Sequence, residues 1–209
     1  MRDPDFRRSQ VEGLWLPHIA PVNRLVDELR GWGRGWVPYV APLYGGVDAS
    51  MLSVLRDPGA ATHDAAGGSG FLCLENDDPT AERFATFLAG AGISPAQMVP
   101  WNAYPWYINR QPRAAELEAG IEPLRRLIAL LPRLRVVMLN GRDAQAAWRR
   151  FARSHPDVAG GLHVIPTYHT SRQALWTPDP AVREARLRRL REAFAEAGRT
   201  VGDPARRPG

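Results

Sequence analysis

Met51-Leu52-Ser53-Val54-Leu55-Arg56-Asp57-Pro58-Gly59 is the stretch that decides the fold. Its first five residues are a short, mostly apolar run that suits a buried strand. A charged pair, a proline and a glycine then force a turn. Two other apolar runs end in the same way. Met98-Val99-Pro100-Trp101 stops at Asn102-Ala103, with Pro100 removing one ladder donor, and Leu162-His163-Val164-Ile165 leads into Thr167-Tyr168-His169-Thr170-Ser171. Leu134 to Leu139 is the strongest strand signal of all. A carboxylate, an amide and an imidazole are thus carried on three strand ends. In open α/β sheets the crevice beyond those ends is where ligands bind.

Helical spacing fills the intervals. Ile19, Val22, Leu25, Val26 and Leu29 share one helical face that closes at Gly31 and Gly33. Asp78-Pro79 reads as an N-cap followed by proline in the first turn, with Phe84, Phe87 and Leu88 as the buried face of a helix ending at Gly90-Ala91-Gly92. Leu117, Ile121, Leu124, Ile128 and Leu131 predict one long amphipathic helix, and another is expected around Ala144 to Ala152. The first ten residues read as a frayed terminus, residues 34–49 as a structured loop, and 58–70 as a glycine-rich loop suited to lying against a ligand. Residues 203–209 read as a low-complexity tail. Strands alternating with helices predict a three-layer α/β/α fold with a central, mainly parallel four-stranded sheet. One domain over residues 1–209 is expected, its core about 19–197.

The 209 residues carry a net charge of +5, and every basic side chain other than histidine is arginine, because the chain has no lysine. Arginine pairs bidentately with phosphate, so the excess suits a polyanionic partner. The absence of lysine disfavours a side-chain Schiff base and with it a lyase that opens the sugar through an imine. Arg183, Arg186, Arg188, Arg189 and Arg191 are interleaved with Leu187, Leu190 and Phe194 at helical spacing. They form either a solvated helix face or a DNA-binding one. One cysteine, Cys73, allows no internal disulfide and cannot by itself hold an iron–sulfur cluster. His18, His155 and His163 show no metal-ligand spacing, and His63 in the glycine-rich loop reads as either a phosphate contact or a surface histidine, so neither a metal nor another cofactor is expected. With no run long enough to span a membrane and no leader pattern, a cytoplasmic monomer is expected, nucleoid-associated if it acts on DNA.

In order and spacing, these motifs resemble those of the uracil-DNA glycosylase superfamily over roughly residues 50 to 176. Leu55-Arg56-Asp57-Pro58-Gly59 stands where the family's first motif ends in a polar residue and proline. Gly70-Phe71 follows it, Asn102 closes a strand, Asn109-Arg110-Gln111-Pro112 opens a helix, and His169-Thr170-Ser171 stands in place of His-Pro-Ser. The resemblance implies a catalytic acid at Asp57 and an imidazole at His169 that supports the departing base. It further implies a substrate-binding set of Arg56, Pro58, Gly59, Phe71, Asn102 and Ser171, in which Phe71 stacks on the base and Asn102 reads its Watson–Crick edge. Arg172, Gln173 and Leu175, with Trp176 beside them, fall where relatives contact DNA and push a wedge into the minor groove. Two departures matter. Gly59 replaces the tyrosine with which classical uracil enzymes exclude thymine, and Thr170 replaces the proline of the histidine motif.

The implied activity is that of a monofunctional DNA glycosylase that flips out uracil or a related deaminated base and leaves an abasic site. Two alternatives stay open. One is a non-turning-over or covalent uracil-DNA binder, and the other a hydrolase of free nucleosides or nucleotides, which the same sheet and residues permit.

Overall fold

The computed structural model describes residues 1, 3–64 and 67–203, so residues 204–209 of the tail and residues 65 and 66 of the glycine-rich loop lie outside the described residues. The chain runs α1 (Pro4–Glu12), α2 (Ala20–Arg30), β1 (Tyr39–Val40), β2 (Met51–Leu55), β3 (Phe71–Leu72), α3 (Pro79–Gly90), β4 (Met98–Asn102), α4 (Ala114–Ala119) and α5 (Ile121–Ala129). It continues β5 (Val136–Asn140), α6 (Arg142–Ser154), α7 (Pro156–Gly160), β6 (His163–Thr167), α8 (Arg172–Leu175) and α9 (Pro180–Gly202). Short 3-10 turns fill several of the joints.

Four strands form one parallel sheet in the order β4-β2-β5-β6. The two central strands and β4 are buried almost throughout, as strands covered on both faces must be. Both prolines of the sheet, Pro100 and Pro166, fall on its edge strands, where a missing N–H breaks no ladder bond. Helices α2, α5 and α6 pack together, α6 lying on β2 and β5, while α9 covers β5 and β6 and holds α3. Phe194 of α9 joins these last two helices. It stacks on Phe87 at 5.2 Å between ring centroids and meets Phe84 edge-on at 5.3 Å. The three-layer α/β/α arrangement expected from the alternation of strands and helices is the one observed.

Four local expectations are corrected. Residues 3–10 are not frayed: Asp3 caps α1 by accepting from the N–H groups of Asp5 and Phe6, and Gln10 is buried with its Oε1 accepting from the Leu43 N–H at 3.0 Å. Residues 34–49 are not wholly loop, because β1 pairs in parallel with β3 as a small second sheet. The long helix predicted across Leu117 to Leu131 is two helices meeting at Gly120. A Cβ there would sit 1.9 Å from the Ala103 carbonyl oxygen, so a glycine is required where the helix joint presses on the end of β4. The C-terminal helix runs on to Gly202, beyond the expected core limit of 197.

Candidate active site

The strand register builds the site. Leu55 lies opposite Asn102 and Asn140 opposite Thr167, while Val54 pairs with Leu139 one step earlier. Asn102, Leu55, Asn140 and Thr167 therefore form one row across the carboxyl edge of the sheet, on the same face. Asn102 is almost fully buried, and its side chain makes no hydrogen bond to the described residues. This row floors a cleft of about 1330 Å³ that opens between the glycine-rich loop, the start of α3, the start of α6 and the His169 loop.

Asp57 enters this cleft two residues beyond β2, with a side chain only 2 % exposed. Arg56 Nε donates to its Oδ1, and Oδ2 has no partner. Burial pushes the carboxyl above its ordinary range. The Arg56 hydrogen bond and charge, and the peptide N–H groups of Asn109 and Arg110, oppose that rise without cancelling it. Asn109 has a φ of 48°, the one left-handed non-glycine backbone among the described residues. The turn it makes brings those two N–H groups near the acid, where they act on its charge without forming a hydrogen bond to it. The segment is held from the other side by Arg110, whose guanidinium grips Glu116 of α4 at 2.8 and 2.5 Å. That pair pulls the Glu116 carboxyl down to about 2.

His169 lines the same cleft. Its Nδ1 accepts from the Ser171 N–H at 3.1 Å, so the neutral ring carries its proton on Nε2. Burial and the Arg56 charge lower the imidazole pKa, against an upward pull from Asp78, and the ring is neutral at pH 7. Arg56 thus acts electrostatically on both Asp57 and His169. Thr170, standing where a proline was expected, is 1 % exposed and firmly held. Arg83 of α3 donates to its carbonyl at 2.6 Å, and its own hydroxyl donates to the Thr80 carbonyl at 3.3 Å. Gly141 joins β5 to α6 with a φ of +90°, and a Cβ there would lie 3.3 Å from the His169 Cβ.

The remaining candidates divide. Arg56, Gly59, Asn102, Ser171 and Gln173 line the cleft with Asp57 and His169. Pro58 is buried behind it, and Arg172 is exposed outside it. Ser171 serves the protein itself, its hydroxyl capping α8 at the Ala174 N–H. Phe71, expected to stack on the base, is not among the residues that line the cleft. It is buried in the core, and in the two-residue strand β3 neighbouring side chains take opposite faces, so Leu72 reaches the cleft. Leu175 is likewise core, 5 % exposed, and the free apolar side chain of that segment is Trp176 at 64 %. Of the C-terminal arginines, Arg186 and Arg189 face the cleft, and the Arg186 guanidinium lies 5.8 Å from the centre of the Tyr168 ring. Asn76, Asp78, Arg83, Asn140 and Gly141 were not singled out as site residues in the sequence; Asp78 read only as a helix cap.

The family model for the Uracil DNA glycosylase superfamily matches residues 44–194, which spans every element that builds the cleft. The chain belongs to the uracil DNA glycosylase superfamily. No curated protein matches the chain. As a superfamily member it is assigned to the glycosylase class of DNA repair hydrolases, with DNA as substrate. With one cysteine in the whole chain, it is a member without the cysteine set that an iron–sulfur cluster needs.

Proposed function

We propose that this superfamily member is a monofunctional DNA glycosylase that captures uracil or a related deaminated base in the cleft and hydrolyses its N-glycosidic bond, leaving an abasic site. The observation that carries this reading is the convergence of Asp57 and His169 on one cleft, with His169 Nδ1 tied back so that its N–H is on Nε2. Departure of the base leaves positive charge on the sugar and negative charge on the base, so catalysis is chiefly electrostatic. The Asp57 carboxylate, with Oδ2 free, stabilises the cationic sugar and orients the attacking water. Neutral His169 donates from Nε2 to the base oxygen that gains charge. Asn102 offers a donor and an acceptor to the Watson–Crick edge. The chain has no lysine for an imine, and water takes the sugar.

The test uses oligonucleotides with a single uracil, hypoxanthine, xanthine or thymine mispair, resolved on denaturing gels with and without alkali. Scission only after alkali, reduced at least a hundredfold in both Asp57→Asn and His169→Ala, is expected. Uncut strands for every lesion would overturn the reading, and a shifted band that survives denaturation would identify a covalent binder instead.

Room in the pocket supports tolerance of larger bases, since nothing lies within 4 Å of where a Gly59 Cβ would stand. Gly59→Tyr is expected to narrow the range of excised bases towards uracil. An unchanged range would disprove this account of Gly59.

A further inference from the structure

Two residues that line the cleft each bury a polar atom without a partner: Asn140 Oδ1 and Thr167 Oγ1. Their residues are 2 % and 4 % exposed and lie opposite one another at the ends of neighbouring strands β5 and β6. The Asn140 amide cannot be turned round to hide its oxygen. Its Nδ2 donates to the Ser53 hydroxyl at 2.9 Å and to the Val54 carbonyl at 3.0 Å, and a carbonyl only accepts. Oδ1 is therefore a fixed acceptor. At Thr167 the backbone carbonyl is fully used, by the Gly141 N–H at 2.9 Å and Gln145 Nε2 at 3.0 Å, while the hydroxyl is left over. Unmade hydrogen bonds in buried places are rare, and two side by side in a cleft point to a ligand group that completes them.

Uracil does not supply that group. Attached through N1, it has one N–H donor, at N3, and that donor is taken when Asn102 reads the Watson–Crick edge. We propose that Asn140 and Thr167 form a second hydrogen-bonding subsite, which accepts an O–H or N–H that a deoxyuridine nucleotide lacks. This rests on the glycosylase reading of the same cleft. The donor belongs either to the base, as a hydroxymethyl group or second ring N–H, or to the sugar, as a 2′-hydroxyl.

The experiment measures Kd on the Asp57→Asn background, so that binding is read whether or not the base is released. Four oligonucleotides are compared, each carrying one deoxyuridine, 5-hydroxymethyldeoxyuridine, deoxyxanthosine or uridine. At least one of the last three should bind about five- to tenfold more tightly than deoxyuridine, the worth of one neutral hydrogen bond. Adding Thr167→Val, an isosteric change that spares the fold, or Asn140→Ser should abolish that ratio. Which oligonucleotide is favoured separates base from sugar. No preference over deoxyuridine, or a preference that survives both substitutions, overturns the proposal. Failure of the glycosylase reading is seen separately, as absence of base release by the unaltered protein on the alkali gel.

Discussion

At Asp57 the demands of function and stability oppose one another. Burial raises its pKa above 3.8 despite the Arg56 guanidinium beside it, so the folded protein holds the ionised form at a cost. A group whose pKa is raised on folding contributes fully below its unfolded value, and that contribution is lost as pH rises through the folded value. Asp57→Asn is therefore expected to melt at a higher temperature than the parent at neutral pH while losing activity. The gap in Tm should close as pH falls below 3.8, where both side chains are neutral. His169 runs the other way. Its pKa is lowered from 6.5, so protonation is resisted and stability declines as pH falls through the folded value. The NMR titration of the His169 ring should accordingly have its midpoint below 6.5, and a midpoint above that value would show that the ring is not desolvated as described.

At the scale of elements, the imidazole is positioned by pieces distant in sequence. Arg83 reaches 87 residues along the chain to the Thr170 carbonyl, and Gly141 lies close to the His169 Cβ. Arg83→Ala and Gly141→Ala should each lower kcat about tenfold or more, with a smaller change in KM. Thr170→Pro, which stiffens the same loop through the backbone, should partly rescue Arg83→Ala. Equal loss with and without the proline would mean that Arg83 acts elsewhere. The strand ends were legible in the sequence because an apolar run broken by Asp-Pro-Gly, Asn or a histidine motif is a local signal. The Asp-Pro helix start at 78 is local too, and Asp3-Pro4 and Asp179-Pro180 carry the same signal for α1 and α9. The break at Gly120 was not legible, since apolar spacing continues through it and only the nearness of the Ala103 carbonyl demands it. Nor was the side to which Phe71 points, which a two-residue strand leaves to its neighbours. The Asn109 turn and the Arg83 tie are contacts between distant segments and leave no pattern in either one.

Across the whole molecule, some of the described arginines are paired with carboxylates and others are not. Six arginines of the helices pair with carboxylates among the described residues, Arg125 with Glu122 and Arg191 with Glu184 among them. Arg142, Arg186 and Arg189 line the cleft and form no ion pair among the described residues. Affinity for undamaged DNA should fall linearly with log salt, and each of these three changed to alanine should flatten the slope by about one phosphate contact. A slope unchanged in the triple variant would move the DNA path off this rim. The sheet's outer strands have a consequence for company as well as for fold. Pro100 and Pro166 each leave a gap in the outward row of donors, one on either side. A strand from another chain arriving at either margin would find its pairing interrupted at mid-length. The four-stranded sheet is thus protected from growing by extension at its two edges.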